Sequence, residues 1–445
     1  MLFALIALLG AMAYLLSNTA RINPYNHFVW QAEAFLDGRA AIRWPVSGAN
    51  GNSVLHDVMP ILDRPGFGLV PFPPLPAVLL MPFVAIFGVA AEQDVIASIL
   101  GGINVGLAWL MVSRLTPRRA AQILATLFFA FGTVHWYAAM LGSTWFFAHV
   151  VASTFLLLAI TLALDADRAQ RVRRRLDRLR SEAVGWRGFI DPLQFAAGVV
   201  FGLAALARLP VIFGAPFFLF VGGGGSYRRR AVSAGIGASI PVLLLLAYNI
   251  ASTGQFLHPA YDYLYEREFT PRPELVHRDW MIEDPRYIPQ NSLIMLGMPP
   301  DTPLLSDGRC TDPGDPDYRP PPAGLGILFD RDCPLLKPNP LGMSLLLTSP
   351  AYLLALPLLA VNWRRRLVLG AALAVGAIAL FNLMHFSQGW VQFGYRFSND
   401  FAPFALVLVA RAIAWLGVRP LTVGLVGASI LINAWGVYWG LVLGW

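Results

Sequence analysis

Residues 54–88 read VLHDVMPILDRPGFGLVPFPPLPAVLLMPFVAIFG. An acidic, loop-like stretch runs straight into an apolar one studded with prolines. Whether the apolar part crosses a membrane decides which side every later residue faces. Pro71, Pro73, Pro74, Pro76 and Pro82 fall within it. Each removes a backbone donor, and interior prolines break helices. Residues 69–88 therefore read as a short helix that lies in a membrane interface or re-enters it.

The rest of the chain makes the case for a membrane. Of 445 residues, 56% are hydrophobic and 13% charged, with mean hydropathy +0.58; soluble domains carry about 25% charged residues. Apolar runs of about 20 residues recur from end to end, so the fold class expected is an all-α polytopic membrane protein. The net charge of +7 is not a nucleic-acid signal, because the arginines sit in short loops between apolar runs. The partner this composition implies is the lipid bilayer, and no nucleic acid.

Four basic clusters set the topology: RLTPRR (114–119), RVRRRLDRLR (171–180), SYRRR (226–230) and NWRRR (362–366). All should be cytoplasmic. Eleven spans are expected, at about 1–17, 95–113, 121–137, 145–164, 193–207, 209–223, 231–251, 343–361, 367–385, 401–417 and 421–441. With the amino terminus inside and 69–88 left out, every basic cluster falls on the cytoplasmic side. Counting 69–88 as a crossing moves all four outside. Residues 1–17 lack a basic leader segment and read as the first span, not a cleaved signal. The chain then divides into that helix, an extracytoplasmic loop with interfacial helices (18–94), spans two to seven (95–251), a second extracytoplasmic loop (252–342) and four last spans (343–445). GGGGSYRRR (222–230) reads as a turn, since no GK[ST] ending makes it a phosphate loop.

The polar residues that could carry chemistry gather in the loops assigned to the outer face. NPYNHFVWQAEAFLDGR (23–39) has helical apolar spacing, with Asn23, Asn26 and His27 near its start and a stop near Gly38. Asp57 and Asp63 precede the proline-rich segment. A carboxylate at the bilayer edge can have a raised proton affinity and serve as a general base; a solvated loop aspartate explains either one alone. His135 and His149 flank a turn between spans, where ionisable groups are costly and often functional. HPAYDYLYERE (258–268) alternates acids and aromatics, with Tyr261 and Asp262 suited to a sugar; a solvated loop beside an aromatic belt explains the same letters. In HFSQGWVQFGYRFSND (385–400), Arg396 and Asp400 lie four apart. They would form a local ion pair on a helix, or Arg396 would bind a lipid phosphate with Tyr395 beside it. Cys310 and Cys333 are the two cysteines, both in the second loop, and a disulfide between them is expected. No acidic cluster argues for a metal.

The segments NHFVWQAEAFLDGR (26–39), VPFPPLPAVLLMPFVAIFG (70–88), FAFGTVHW (129–136), GLAALARLP (202–210), MSLLLTSP (343–350) and QFGYRFSNDFAPF (392–404) resemble the GT-C glycosyltransferases, in particular bacterial members of the protein mannosyltransferase and lipid A aminoarabinose transferase group. The resemblance covers most of the membrane part and not residues 270–340. It implies a GT-C-like bundle in the bacterial inner membrane with an extracytoplasmic active site. The donor would be a polyprenyl-phosphate sugar, with no further cofactor and no metal. The acceptor would be a hydroxyl of a glycan, lipid or protein. A first-loop aspartate would act as base, and attack would invert the anomeric centre. Many members of this group carry an acid directly after the first span. Here TARINPYNH (19–27) has none, so the role falls to Asp57 or Asp63. Two other functions fit the same letters: a transporter of lipid-linked precursors, against which the lack of internal repeats argues, and a non-catalytic envelope-assembly partner built around residues 270–340.

Overall fold

The computed structural model describes residues 1–19, 25–46, 55, 57–180, 190–269, 275–389 and 391–444. Asn23 lies outside them. The fold is nearly all-α. The first helices are α1 (Leu2–Ser17), α2 (His27–Leu36), α3 (Leu75–Phe87), α4 (Gln93–Leu115), α5 (Arg119–Phe131), α6 (His135–Leu141) and α7 (Thr144–Arg180). They are followed by α8 (Pro192–Ala207), a 3-10 turn over Leu209–Gly214, α9 (Pro216–Phe220) and α10 (Tyr227–Thr253). The second inter-helix segment contains α11 (Ala260–Phe269), α12 (Ile288–Ser292), α13 (Pro303–Ser306) and α14 (Gly308–Thr311). Then come α15 (Leu345–Thr348), α16 (Ala355–Asn362), α17 (Arg366–Met384), α18 (Ser398–Leu416) and α19 (Pro420–Leu443).

Among the described residues, six helices are long and apolar enough to cross a membrane: α4, the Thr144–Val172 part of α7, α10, α17, α18 and α19. α5 and α6 make a seventh if taken together, bent by 50° at their junction. The other four expected spans are shorter or broken. α1 and α8 have 16 residues each, about 24 Å at 1.5 Å per residue. Segments 209–223 and 343–361 contain 3-10 turns, at Leu209–Gly214 and Pro350–Leu354. Pro210, Pro216 and Pro350 each open a new short helix, because proline fits the first turn and not the interior. A hydropathy window counts apolar letters and passes over such breaks.

With no hydrophobic drive between helices in lipid, close backbone approach and polar contacts hold the bundle. A Cβ at Gly102 of α4 would collide with the backbone of Ala7 and Ala11 on α1. One at Gly198 of α8 would strike the Ala234 carbonyl on α10. Tyr14 donates to the Ala130 carbonyl at 2.8 Å, tying α1 to α5. Asn104 of α4 donates to the Val150 carbonyl and accepts from Thr154, both on α7.

The four basic clusters share one end of the bundle. Arg114, Arg168, Arg171, Arg365, Arg366 and Arg411 border a common cavity with Phe220 and Val221. Arg230 reaches the Gly222 carbonyl beside them. The opposite end holds the start of α7. Pro71–Pro73 line a cavity at that end. After α3 the chain enters α4 at Gln93, which donates to the Gly142 carbonyl just before α7. Both ends of the α3 segment thus lie toward the start of α7. At 13 residues α3 is about 20 Å long, short of a hydrocarbon core of about 30 Å. Its Ala77, Leu80 and Val84 are buried, while Val78, Phe83, Ile86 and Phe87 are exposed, the two-faced pattern of an interfacial helix.

The segment before α3 also contains a small antiparallel sheet in the order β1 (Ile42–Arg43), β3 (Phe67–Leu69), β2 (Met59–Pro60). Ile42 pairs with Gly68, and Met59 with Leu69. It closes a core of Trp30, Ala34, Val46, Leu55, Val58 and Val70 against α2. Strands of two or three residues are too short to show an alternating pattern, and the sequence reading had only a loop here. α2 stops where expected, with Gly38 at φ +71°. It is buried on most sides, against α3 and the sheet, and so is not a half-exposed surface helix. In the second segment Cys310 and Cys333 form a disulfide, with Cα atoms 5.6 Å apart.

Candidate functional site

A cavity of about 690 Å³ opens at the end opposite the arginines. Part of its wall is apolar: Phe72, Leu209, Leu245, Leu246, Phe381 and Phe397. Phe256 and Leu257 line it and are themselves exposed, so the apolar side continues to the surface. The other part is polar: Arg208, His258, Tyr261, Asp262, Glu283, Asn382 and His385.

The polar part is anchored on Asp400, which is fully buried in the first turn of α18. Its Oδ1 takes hydrogen bonds from His149 Nδ1 at 2.9 Å and Arg208 Nε at 3.2 Å. Its Oδ2 takes Arg208 Nη2 at 3.0 Å and Asn382 Nδ2 at 3.2 Å. Four elements thus meet at one carboxylate: α7, α17, α18 and the turn after α8. Arg208 is held as a two-pronged pair, the strong form of ion pair. Its side chain keeps 17% exposure, and no hydrogen bond occupies Nη1 among the described residues. It presents a fixed cationic edge to the cavity.

Above it, Tyr261 at the start of α11 is half-buried in the wall. Burial pushes its hydroxyl up to about 12. Arg208 opposes that rise, and Glu283 and Asp57 add to it, so all three charges lie near this ring. Glu283 accepts from His385 Nδ1 at 2.9 Å across an antiparallel bridge. His258 is buried, and its Nε2 has no hydrogen-bond partner among the described residues. Burial pulls its pKa down to about 4, so it is neutral at physiological pH.

The structure brings some expected residues together and separates others. His149, Tyr261, Asp262 and Asp400 belong to the cavity or its support, and Asp57, which is not among the cavity-lining residues, lies near enough for its charge to act on Tyr261. Asp63 does not join them: it is exposed on the turn between β2 and β3. Arg396 was expected to pair with Asp400 or to bind a phosphate. α18 begins only at Ser398, so the two do not share a helical face, and Asp400 is already taken by Arg208, His149 and Asn382. Arg396 is instead buried, 5.7 Å from the Trp145 ring and 5.2 Å from Phe397. Arg208 lies 5.3 Å from that same Phe397 ring and is the arginine in the cavity wall. Tyr395 donates to Gln388 Oε1 at 2.8 Å and is fully buried, so it supports the turn without facing the cavity. Asn26 accepts from Trp30 Nε1 within α2. His27 bonds Thr144 at 2.9 Å and meets Phe72 edge to face, one layer behind the cavity wall. His135 stacks on Phe129 at the break between α5 and α6.

Sequence reasoning missed Arg208, Glu283, Asn382, His258 and His385 as site residues. Arg208 had a signal, being the one charged residue between Asp191 and Arg228 at the edge of two apolar runs. Glu283 had none, because only the bridge to residue 385 places it. Among the described residues no group of His, Cys, Asp and Glu could hold a metal ion. No family model, curated protein or solved structure matches the chain. The class that the fold and cavity define is a membrane-embedded helical bundle with a half-apolar, half-charged cavity at one end. The likeness to GT-C enzymes rests on the residues quoted above.

Proposed function

We propose that this chain is a membrane glycosyltransferase that moves a sugar from a polyprenyl-phosphate donor to an acceptor hydroxyl at the extracytoplasmic face. On this reading the arginine-rich end faces the cytoplasm and the chain passes eleven times between the two faces, its short segments included. One observation carries the reading: a single cavity joins an apolar wall open to the surface with a cation, Arg208, held by buried partners. A prenyl chain would lie along Phe256, Leu257, Leu245 and Phe381, with its phosphate at Arg208. A sugar would then face Tyr261, Asp262 and Glu283. Asp57, near Tyr261, takes the proton of the acceptor hydroxyl as its oxygen attacks the anomeric carbon. The carbon–oxygen bond to phosphate breaks with inversion, and polyprenyl phosphate leaves with the bonding pair. Arg208 stabilises the charge that grows on that phosphate, where a preorganised cation helps most.

The test is mass spectrometry of envelope glycans and lipid-linked sugars in wild type, a deletion strain, and the deletion complemented with Asp57→Asn. Loss of one sugar with accumulation of its polyprenyl-phosphate donor, unrescued by Asp57→Asn at normal membrane levels, supports the reading. Unchanged glycans in the deletion strain would end it. Full rescue by Asp57→Asn would remove Asp57 as the base.

A further inference from the structure

The arginine-rich end contains a second cavity, of about 290 Å³. It is bordered by Arg114, Arg168, Arg171, Arg365, Arg366 and Arg411, with Asp167 as the one acid in its wall. Two of the cations are paired: Arg114 with Asp165 at 2.8 Å and Arg171 with Asp167 at 3.0 Å. The other four have no carboxylate within ion-pair distance among the described residues. Arg411 is half-buried between helices and donates a hydrogen bond to the Leu115 carbonyl. Arg365 is near enough to repel it. A half-buried cation facing like charge, with no counter-ion among the described residues, is an unfavourable arrangement for a fold to hold by itself.

Topology does not require this arrangement. The positive-inside rule asks only that arginines lie on one side; solvated loops would satisfy it. Here three separate stretches, the end of α4, the middle of α7 and the turn into α17, converge with Arg411 of α18 around one hollow. The first turn of α17 adds its backbone: Arg366, Leu367 and Val368 border the cavity, and the helix has no side-chain cap. Uncapped N–H groups at a helix start favour an anion. Arginine forks match tetrahedral oxyanions in particular.

We propose that this second cavity is a binding site for a phosphate-bearing anion, independent of the transferase reading. Phosphate there would come from an anionic lipid headgroup, as basic pockets between membrane helices accept, or from a soluble phosphate ester. The chemistry is shared, and the experiment separates the sources.

The full-length protein is purified into phosphatidylcholine nanodiscs with and without cardiolipin, and retained lipid is read by native mass spectrometry. A second arm titrates inorganic pyrophosphate into cardiolipin-free nanodiscs and follows thermal stability. Each arm compares wild type, the pair Arg365→Gln with Arg411→Gln, and Arg364→Gln, whose side chain stacks on Trp363 outside the cavity. Charge-assisted hydrogen bonds of this kind predict about tenfold weaker binding or more in the glutamine pair and none lost in Arg364→Gln. Loss confined to cardiolipin names a lipid headgroup; loss confined to pyrophosphate names a soluble phosphate; either supports the site. If the glutamine pair does not fold, Arg365→Lys with Arg411→Lys keeps the charge but not the fork, and binding should fall several-fold. No binding of either probe, equal loss in Arg364→Gln, or full retention by the lysine pair would overturn the proposal, since diffuse surface charge would then suffice.

Discussion

The two cavities, at opposite ends of one bundle, treat arginine in opposite ways. At the larger one Arg208 is fixed by the buried Asp400, which His149 and Asn382 hold in turn. At the smaller one four arginines border a hollow with no carboxylate within ion-pair distance among the described residues. The first pattern makes a rigid charge whose removal disturbs the fold. The second makes a cluster of like charges that an anion would relieve. A charge positioned by buried partners suits a step in which negative charge must grow at one point. A charge left open suits an anion that comes and goes with ionic strength.

The largest test of this contrast is Asp400→Asn. It leaves the Arg208 charge buried without its counter-charge, which costs about 3–5 kcal/mol. We expect a marked fall in thermal stability by fluorescence-detected size exclusion. Asp400→Leu combined with Arg208→Met should regain much of that stability while sugar transfer stays lost. If Asp400→Asn is as stable as wild type, the network is not a structural anchor, and the contrast between the ends fails.

Asp57→Asn should act chiefly on the transfer step. A general base contributes about 100-fold or more, so transfer in proteoliposomes should fall by at least that factor at equal membrane levels. A smaller loss would shift the base role to Glu283 and His385, which line the larger cavity.

His258 supplies a pH test at the larger cavity. Its folded pKa, about 4, lies below the ordinary value of about 6.5. Between those values the unfolded chain binds a proton that the folded one does not. Its contribution to stability is therefore complete above about pH 6.5 and is lost as pH falls through about 4. His258→Gln should flatten the pH dependence of stability in that window. An unchanged profile would show that another group titrates there.

The smallest effect should come from Asp63→Asn. The side chain is exposed on a turn, where substitutions stay within about 0.5 kcal/mol, and transfer should hold within about twofold. A large loss would mean that the small sheet closes over the cavity during turnover.

The sequence by itself marked this as a helical membrane bundle and set its basic clusters between the apolar runs. Composition, charge asymmetry and the prolines act locally, through transfer cost and lost backbone donors, and can be read residue by residue. It also marked Asp57, His149, Tyr261, Asp262 and Asp400 as candidates, from polar residues placed where they are costly. Only the tertiary structure decided which of these meet. Arg208 and Asp400 are 192 positions apart and His149 and Asp400 251 apart, and no pattern in one chain encodes such pairings. The near neighbours Arg396 and Asp400, close in sequence, do not pair, because the backbone before Ser398 is not helical and the carboxylate is already filled. Span count was likewise a tertiary matter: proline starts a new helix within an apolar run, and packing inside the bundle stabilises pieces too short to cross a bilayer alone.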